Sequence, residues 1–304
     1  MRSDDQAFAI FQLLQVPGIG PARLSAMLTH AEELHSSLTG LVAEDNGLGA
    51  MLDGEQIRSL RANASKNFEV WQKVRDLGGR VLSYLDPDYP DSLRLQLGRQ
   101  APPLLFTRGN LSLLSRPSLG FCGSRKASEK GLAVAEECAR MVSTDGINVI
   151  SGYAAGVDMA THRAALQSGG TTAIVLPEGI LHFRIKQDIK DIWDWQRVLV
   201  ISQYPPGLTW SVRNAMLRNQ TICGLCRVMV LIEARETGGS MEAGRTCLKL
   251  GIPLFAPVYD GMPEFARGNQ ILLHEGARSL YKSKSTNLPN LRNLMSAFEE
   301  PVEQ

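Results

Sequence analysis

The stretch LGFCGSR at residues 119–125 decides the fold of this 304-residue chain, because an apolar run passes directly into a glycine turn. The same succession of apolar run, glycine-rich turn and amphipathic helix repeats as far as Leu250. Short apolar runs without polar alternation are typical of strands that are buried on both faces. The sequence therefore predicts an α/β fold with an extended, Rossmann-like, doubly wound parallel sheet.

Working outward from this stretch, the pattern places the elements of the sheet. Six parallel strands are predicted at Leu119–Cys122, Ile147–Ile150, Thr172–Leu176, Val198–Ile201, Val228–Ile232 and Pro253–Ala256. Helices between them are predicted at Glu129–Val142, Asp158–Gln167 and Glu242–Leu250. Two further short strands, Val81–Leu85 and Leu104–Phe106, precede this unit, and turn residues separate them.

The first 65 residues have a different character and predict a small helical domain. Pro17-Gly18-Ile19-Gly20-Pro21 separates two apolar helical stretches, which suggests a helix-hairpin-helix or SAM-like arrangement. This segment holds four basic and eight acidic residues, a net charge of −4, which favours a structural or protein-binding hairpin over a DNA-binding one. Another helix is predicted at Lys66–Leu77. We expect a helical domain at 1–70, the Rossmann-like domain at 71–283 and a polar tail at 284–304.

Composition excludes several classes of protein. With 32 Lys+Arg and 31 Asp+Glu the net charge is +1, so bulk positive charge cannot carry nucleic-acid binding. Hydrophobic residues make up 44%, which is too many for a disordered chain. Five scattered cysteines argue against a disulfide framework and for a reducing compartment. No apolar run reaches the ~20 residues of a membrane span, and the acidic N-terminus does not resemble a signal peptide, so we expect a cytoplasmic protein.

Three glycine-rich loops follow predicted strands and are the candidate ligand-binding segments. The first is Gly123-Ser124-Arg125, the second Ser151-Gly152 through Gly156 to Asp158, and the third Thr237-Gly238-Gly239-Ser240. Backbone amides at such turns bind phosphate, and an arginine adds a charged fork. One such loop is as consistent with a tight turn as with an anion cradle, but three at the carboxyl edge of one sheet favour a phosphate-bearing ligand. None forms a complete dinucleotide fingerprint or a P-loop.

The segment from Trp195 to Ile232 adds an independent signal for nucleic acid. It contains no acidic residue but carries Arg197, Arg213, Arg218 and Arg227, with the aromatic residues Tyr204 and Trp210 among them. Arginines that bind phosphate beside an aromatic platform suit single strands with unstacked bases. The alternative is that Trp210 packs in a core and the arginines are solvated. We favour a binding role for Arg125 and Arg218, and not for Arg197 or Arg227.

These motifs together resemble the DNA-processing protein A family, also called DprA or Smf. The resemblance rests on Gly123-Ser124-Arg125, on Ser151-Gly152 through Asp158 with His162, on Arg218-Asn219, and on Gly239-Ser240. It implies an extended Rossmann fold that binds single-stranded DNA and passes it to a RecA-like recombinase during natural transformation, with no established catalytic activity. A homodimer is implied as well. No cofactor, metal or membrane partner is expected.

The resemblance carries a set of phosphate-binding residues onto this chain, and the chain departs from the family at some of them. The set comprises Gly123, Ser124, Arg125, Ser151, Gly152, Gly156, Asp158, Arg213, Arg218, Asn219, Gly238, Gly239 and Ser240. Ala155 and Gln220 stand where the family usually has arginines, Ala215-Met216 replaces a Phe-Pro pair, and Glu242 adds an acid. The C-terminal winged helix of many members is not expected in this chain.

A second function stays open from the same residues. The stretch from Gly238 to Glu242 is similar to the glycine-glycine-x-x-Glu stretch of nucleoside monophosphate phosphoribohydrolases, so the alternative is a nucleotide-binding sensor or hydrolase, with defence against mobile elements as one such role. In that case Glu242 is the catalytic carboxylate; otherwise it is a helix N-terminal charge. His162 is expected to cap or pack rather than act as a base. Cys223 and Cys226 are expected to be buried, since one Cys pair does not make a zinc site.

Overall fold

The computed structural model describes residues 2–33, 38–43 and 51–300. Its strands are β1 (Gly79–Ser83), β2 (Leu104–Gly109), β3 (Ser118–Gly123), β4 (Asn148–Ser151), β5 (Thr172–Leu176), β6 (Val198–Ser202), β7 (Val228–Ile232), β8 (Leu254–Pro257) and β9 (Arg278–Leu280). The eight predicted strands are confirmed, with bounds that shift by a few residues. The short strand β9 was not predicted, because a three-residue strand leaves no periodic signal.

All nine strands form one sheet, in the order β1-β2-β6-β5-β4-β3-β7-β8-β9. The seven strands from β6 to β9 are parallel, and β2 and β1 add an antiparallel edge. The chain builds outward from β3 in one direction and then returns to build from β3 in the other. The prediction of an α/β, doubly wound sheet is therefore confirmed. The carboxyl ends of β3 and β7, where the order reverses, form the crevice in which such sheets bind ligands.

The helices cover both faces of this sheet. They are α1 (Arg2–Leu14), α2 (Pro21–Glu33), α3 (Leu38–Ala43), α4 (Gly54–Asp76), α5 (Asp91–Leu97), α6 (Glu129–Thr144), α7 (Val157–Gln167), α8 (Gln187–Lys190), α9 (Val212–Leu225), α10 (Gly239–Lys249), α11 (Gly268–His274) and α12 (Arg292–Glu299). Within the part of the chain that the structure describes, no helix is both long and apolar enough to cross a membrane.

The N-terminal helices share a hydrophobic core with the sheet. Val81 and Phe106 of the antiparallel edge belong to the same buried cluster as α1, and the rings of Phe11 and Phe106 meet edge to face with 5.9 Å between their centroids. The predicted boundary between residues 70 and 71 falls inside α4, which begins twelve residues before the helix predicted from Lys66. Asp53 and Gln56 form a capping box that starts it there.

The segment predicted as a polar tail contains α12. Leu294, Ala297 and Phe298 are buried and belong to the core cluster that α6 and α7 form with β3 and β7. Their spacing of three and four residues puts them on one helix face. The charged residues that suggested a tail lie outside this face.

Candidate nucleic-acid interface

A cavity of about 480 Å³ opens at the carboxyl ends of β3 and β7. It lies at the reversal of strand order, where the predicted glycine loops converge. Nine of the predicted site residues line it: Gly123, Ser124, Arg125, Asp158, Arg218, Asn219, Gly238, Gly239 and Ser240. Ser151, Gly152, Gly156 and Arg213 are not among its lining residues. The first and third loops therefore face the cavity directly, and the second contributes mainly from beneath.

The first loop turns tightly and leaves its arginine free. A Cβ on Gly123 would lie 2.2 Å from the carbonyl oxygen of Ile232, so no other residue fits there. The Oγ of Ser124 accepts a hydrogen bond from the Lys126 amide at 3.1 Å, which closes the loop on itself. Arg125 is exposed and forms no ion pair with a described carboxylate; its guanidinium carbon lies 5.8 Å from the centroid of the Trp210 ring.

The second loop is used to pack the site. Gly156 has a φ of +78°, and a Cβ there would lie 2.4 Å from the Ser124 carbonyl oxygen, so the second loop presses against the first. The hydroxyl of Ser151 is buried and donates to the Phe121 carbonyl oxygen at 2.7 Å. A Cβ on Gly152 would lie 2.2 Å from Nη1 of Arg218. These contacts explain the glycines without a ligand.

Arg218 forms the floor of the cavity. It is only 6% exposed, and its Nη1 donates to the Val175 carbonyl oxygen, while Nε has no partner among the described residues. Burial lowers the pKa of Arg218, and the nearby carboxylate of Asp158 opposes that shift. Asp158 is itself buried and accepts from the Ala154 amide at 3.1 Å. Arg218 therefore has one carbonyl oxygen and a nearby carboxylate inside the protein that offset its charge in part, without an ion pair among the described residues.

The third loop is tied to the other two sides of the cavity. The hydroxyl of Ser240 donates to the Gly123 carbonyl oxygen at 2.7 Å, and Nδ2 of Asn219 donates to the Gly239 carbonyl oxygen at 3.1 Å. Gly238 has a φ of +107°, which favours glycine. Asn219 thus binds the protein's own loop, and Arg213 is exposed on the first turn of α9, away from the lining.

Glu242 does not take part in this cavity. It is exposed on α10 and is absent from the lining residues, because Met241, Ala243 and Cys247 occupy the buried side of that helix. Glu242 therefore follows the third loop by two residues without joining the lining. The reason is the helical period, which turns position 242 outward when positions 241 and 243 to 244 face the core.

Several other sequence predictions can now be placed. His162 is fully buried between the Thr172 hydroxyl and the Gly152 carbonyl oxygen, each at 2.6 Å, and burial lowers its pKa to about 4, so its packing role is confirmed. All five cysteines are buried, as expected for Cys223 and Cys226. Arg197 and Arg227 lie outside the cavity lining and donate to the carbonyl oxygens of Leu166 and Phe298.

The two aromatic residues of the arginine-rich segment separate. Trp210 is 45% exposed and lines the cavity, so the alternative that it packs in a core is wrong. Tyr204 is buried, and its hydroxyl donates to the Asn214 carbonyl oxygen at 2.6 Å, so it offers no platform.

Sequence reasoning missed Glu233, the residue directly after β7. Its carboxylate is fully buried, lines the cavity and accepts hydrogen bonds from the Ser128 amide at 2.7 Å, from the Ser128 hydroxyl and from Tyr259. Burial and the bond to Glu233 raise the pKa of Tyr259. A Cβ on Gly131 would lie 2.5 Å from the carboxyl carbon of Glu233. The signal was its place at a strand's carboxyl end, at the same edge as the glycine loops.

Two basic residues of the lining, Lys126 and Arg235, and the apolar Val212 were also missed, whereas Thr237 belongs to the predicted third loop. The two basic ones are exposed and, like Arg125, form no ion pair with a described carboxylate. They add positive charge to the rim beyond what the family resemblance carried over.

Comparison with known proteins agrees with this architecture. The family described as DNA recombination-mediator protein A matches residues 80–288. DNA processing protein DprA of Streptococcus pneumoniae is 35% identical over 201 residues, which cover 64% of this chain and 69% of that protein. Protein Smf of Synechocystis is 26% identical over 286 residues, which cover 91% of this chain and 70% of that protein.

Solved structures show the same fold. The X-ray structure of DNA processing protein A from Streptococcus pneumoniae matches with a TM-score of 0.75 and 28% identity, and covers 90% of this chain and 94% of that one. DNA processing protein A from Helicobacter pylori matches with a TM-score of 0.57 and 22% identity over 72% of this chain and 94% of that one. Since the family match extends over most of the chain, including the sheet and its three loops, this chain belongs to the DNA recombination-mediator protein A family.

Proposed function

We propose that this chain binds single-stranded DNA along the carboxyl edge of its sheet, with phosphates at the first and third loops. The observation that carries the proposal is Arg125, an exposed guanidinium without a described carboxylate partner, in one cavity with the glycines of the third loop and the exposed indole of Trp210. Lys126 and Arg235 extend the positive rim. Fixed cations next to an aromatic face suit a flexible, unstacked strand better than a duplex.

The relatives support this assignment. The Helicobacter pylori protein is described as binding single-stranded DNA, and the Streptococcus pneumoniae relative as a DNA processing protein. A role in DNA processing and recombination follows for this chain, with delivery of the strand to a RecA-like recombinase in natural transformation as the specific form. The proposal contains no catalytic step and places the protein in the cytoplasm.

The proposed assembly and domain division follow the same reasoning. A second copy of the chain is proposed as a partner, so that two cavities engage one strand. We propose a helical domain at 1–70, a Rossmann-like domain at 71–283 and a segment at 284–304, with α4 crossing the first boundary and α12 packing on the Rossmann-like core. Because residues 1–65 carry a net charge of −4, the helical domain is assigned a structural or protein-binding role.

Predicted site residues divide into two proposed roles. Gly123, Ser124, Arg125, Gly238 and Gly239 line the cavity and are proposed to meet phosphate directly, and the exposed Arg213 is proposed to meet it outside the lining. Ser151, Gly152, Gly156, Asp158, Arg218, Asn219 and Ser240 are proposed to hold those loops in place, because their polar groups are occupied or covered by the protein.

A titration tests the proposal. Binding of the full chain to single-stranded DNA, to a duplex and to a mononucleotide is measured between 50 and 300 mM salt, roughly the range over which phosphate contacts lose most of their affinity. We expect the single strand to bind most tightly, with an affinity that falls as salt rises. Tight binding of the mononucleotide alone overturns the proposal in favour of a nucleotide sensor.

The position of Glu242 argues against the hydrolase alternative. Its catalytic carboxylate was Glu242, which is exposed and does not line the cavity. Incubation of the chain with nucleoside monophosphates, followed by chromatography, is expected to release no free base. Release that disappears in Glu242→Gln would restore the alternative.

A further inference from the structure

One wall of the cavity is apolar and open to solvent. It is made by Trp210, Val212 and Met216, which we call the apolar rim, and all three line the cavity. Their exposed fractions are 45%, 62% and 38%, high for large hydrophobic side chains. Trp210 lies just before α9, and the other two lie one helical turn apart on it, so the three share one side of the opening.

Another part of the lining is polar. There the first loop presents the Ser124 and Arg125 segment, and the third loop presents Gly238 and Gly239. Arg125 lies close to the apolar rim, since its guanidinium carbon lies 5.8 Å from the centre of the Trp210 ring. A ligand that fills the cavity therefore meets positive charge and an aromatic side chain close together.

We infer that the apolar rim is a nucleobase-stacking subsite centred on Trp210, used by a strand whose phosphates bind at the first loop. This inference rests on the proposed function and names the part of the DNA that the apolar rim recognises, namely its bases. Bases of any identity present a π-face to an indole, so the subsite selects for unpaired bases without selecting a sequence. Bases in a duplex are already stacked and do not reach it.

The rim favours a base over an apolar protein segment because of its neighbours. An apolar peptide on Trp210 would bring no counter-charge to Arg125, which lacks a described carboxylate partner, whereas each base of a strand carries a phosphate with it. Tyr204, the other aromatic residue of this segment, is buried and bonded to Asn214, so Trp210 supplies the aromatic surface here.

The test compares two ligands of equal charge. One is an oligothymidylate, and the other is an oligomer of the same length in which every base is replaced by an abasic site. Both are titrated against the full chain, Trp210→Ala, Trp210→Phe and the control Tyr281→Ala, which removes an aromatic ring of 58% exposure outside the cavity lining.

We expect Trp210→Ala to weaken oligothymidylate binding about tenfold and to leave abasic binding unchanged, because stacking needs a base. Trp210→Phe should retain most of the affinity, and Tyr281→Ala all of it. An equal loss for both oligomers would mean that Trp210 acts through the position of Arg125, and no loss for either would assign the rim to a protein partner; each overturns the inference. If the unmutated chain binds neither oligomer, the proposed function itself has failed.

Discussion

The floor and the rim of the cavity each carry an arginine, and the two arginines have opposite surroundings. On the floor, Arg218 is buried beside Asp158 and donates to a backbone carbonyl oxygen. On the rim, Arg125 is exposed and free of any described carboxylate. The two arginines line one cavity but differ in their contact with water. The side chain of Arg218 is desolvated on folding, whereas the charge of Arg125 remains accessible to a ligand. Solvent access, rather than residue type, separates the proposed structural role of Arg218 from the proposed binding role of Arg125.

The floor should respond to mutation through stability. We expect Arg218→Ala to lower the free energy of unfolding by about 3 kcal/mol, because it removes a buried charged hydrogen bond to the Val175 carbonyl oxygen and a positive charge near the buried carboxylate of Asp158. Chemical denaturation at pH 7 measures this. Arg125→Ala is the matched control and should change stability by less than about 0.5 kcal/mol. Similar losses in the two variants would erase the distinction between floor and rim.

The junction between floor and rim is tested by a pair of glycines with nearly the same φ angle. Gly156 and Gly146 have φ values of +78° and +77°, but a Cβ would strike the Ser124 carbonyl oxygen only at Gly156 and meets open space at Gly146. We expect Gly156→Ala to cost about 3 kcal/mol and Gly146→Ala about 1 kcal/mol of unfolding free energy. Equal costs in thermal or chemical melts would show that the two loops do not press together.

The stability of the protein should also depend on pH through His162, which is buried next to the Gly152 carbonyl oxygen. Burial lowers its pKa to about 4 from an ordinary value of 6.5, so the unfolded chain takes up a proton that the folded chain refuses. Stability should therefore fall as pH drops below about 6.5, by about 2 kcal/mol between pH 7 and pH 5 from this group alone. His162→Gln should remove that part of the slope, and His274→Gln, at an exposed histidine, should keep it. The same slope in both variants would contradict the assignment.

The fold could be predicted well from the sequence, because the apolar runs that indicate strands are local patterns. Apolar runs such as Thr172–Leu176 and Val228–Ile232 have the bounds of the observed strands, since a fully buried strand leaves no polar residue to blur its ends. The glycine loops were found for the same reason. The residues of the capping box at Asp53 and of the apolar face of α12 are present in the sequence, but nearby polar residues obscure both patterns.

The division of roles within the site was not predictable in the same way. Whether an arginine reaches solvent depends on what packs across it, and for Arg218 this is Val175 on β5, 43 residues away. Glu233 adopts a φ of +51°, which no local pattern announces, and its partners come from Ser128 and Tyr259. Such contacts between distant segments are the information that a single sequence does not display.

The rim should respond through binding. Arg125→Ala is expected to weaken single-stranded DNA binding about tenfold, for every sequence alike, and to reduce the slope of log affinity against log salt by about one, because one phosphate contact is lost. Arg163→Ala, at an exposed arginine of α7 outside the cavity lining, is the control. A loss that depended strongly on base sequence would place Arg125 on the bases instead.

The smallest effect is expected at Glu242. Since its carboxylate is exposed and lies outside the lining, Glu242→Gln should change DNA affinity by less than about twofold, with any gain confined to low salt, where charges are screened least. Binding curves at two salt concentrations are sufficient. A large gain in affinity would mean that the DNA path extends beyond the cavity lining to Glu242.

The three loops are fastened to one another before any ligand arrives. The Val157 amide donates to the Ser124 carbonyl oxygen, and the Ser240 hydroxyl donates to the Gly123 carbonyl oxygen. Asn219 of α9 donates to the Gly239 carbonyl oxygen. The protein is therefore preorganised, and the entropy lost on association falls on the flexible strand. Affinity should then depend on how ordered the strand already is, so that a stiff, self-stacked oligoadenylate and a supple oligothymidylate sample the same rigid cradle with different thermodynamic signatures.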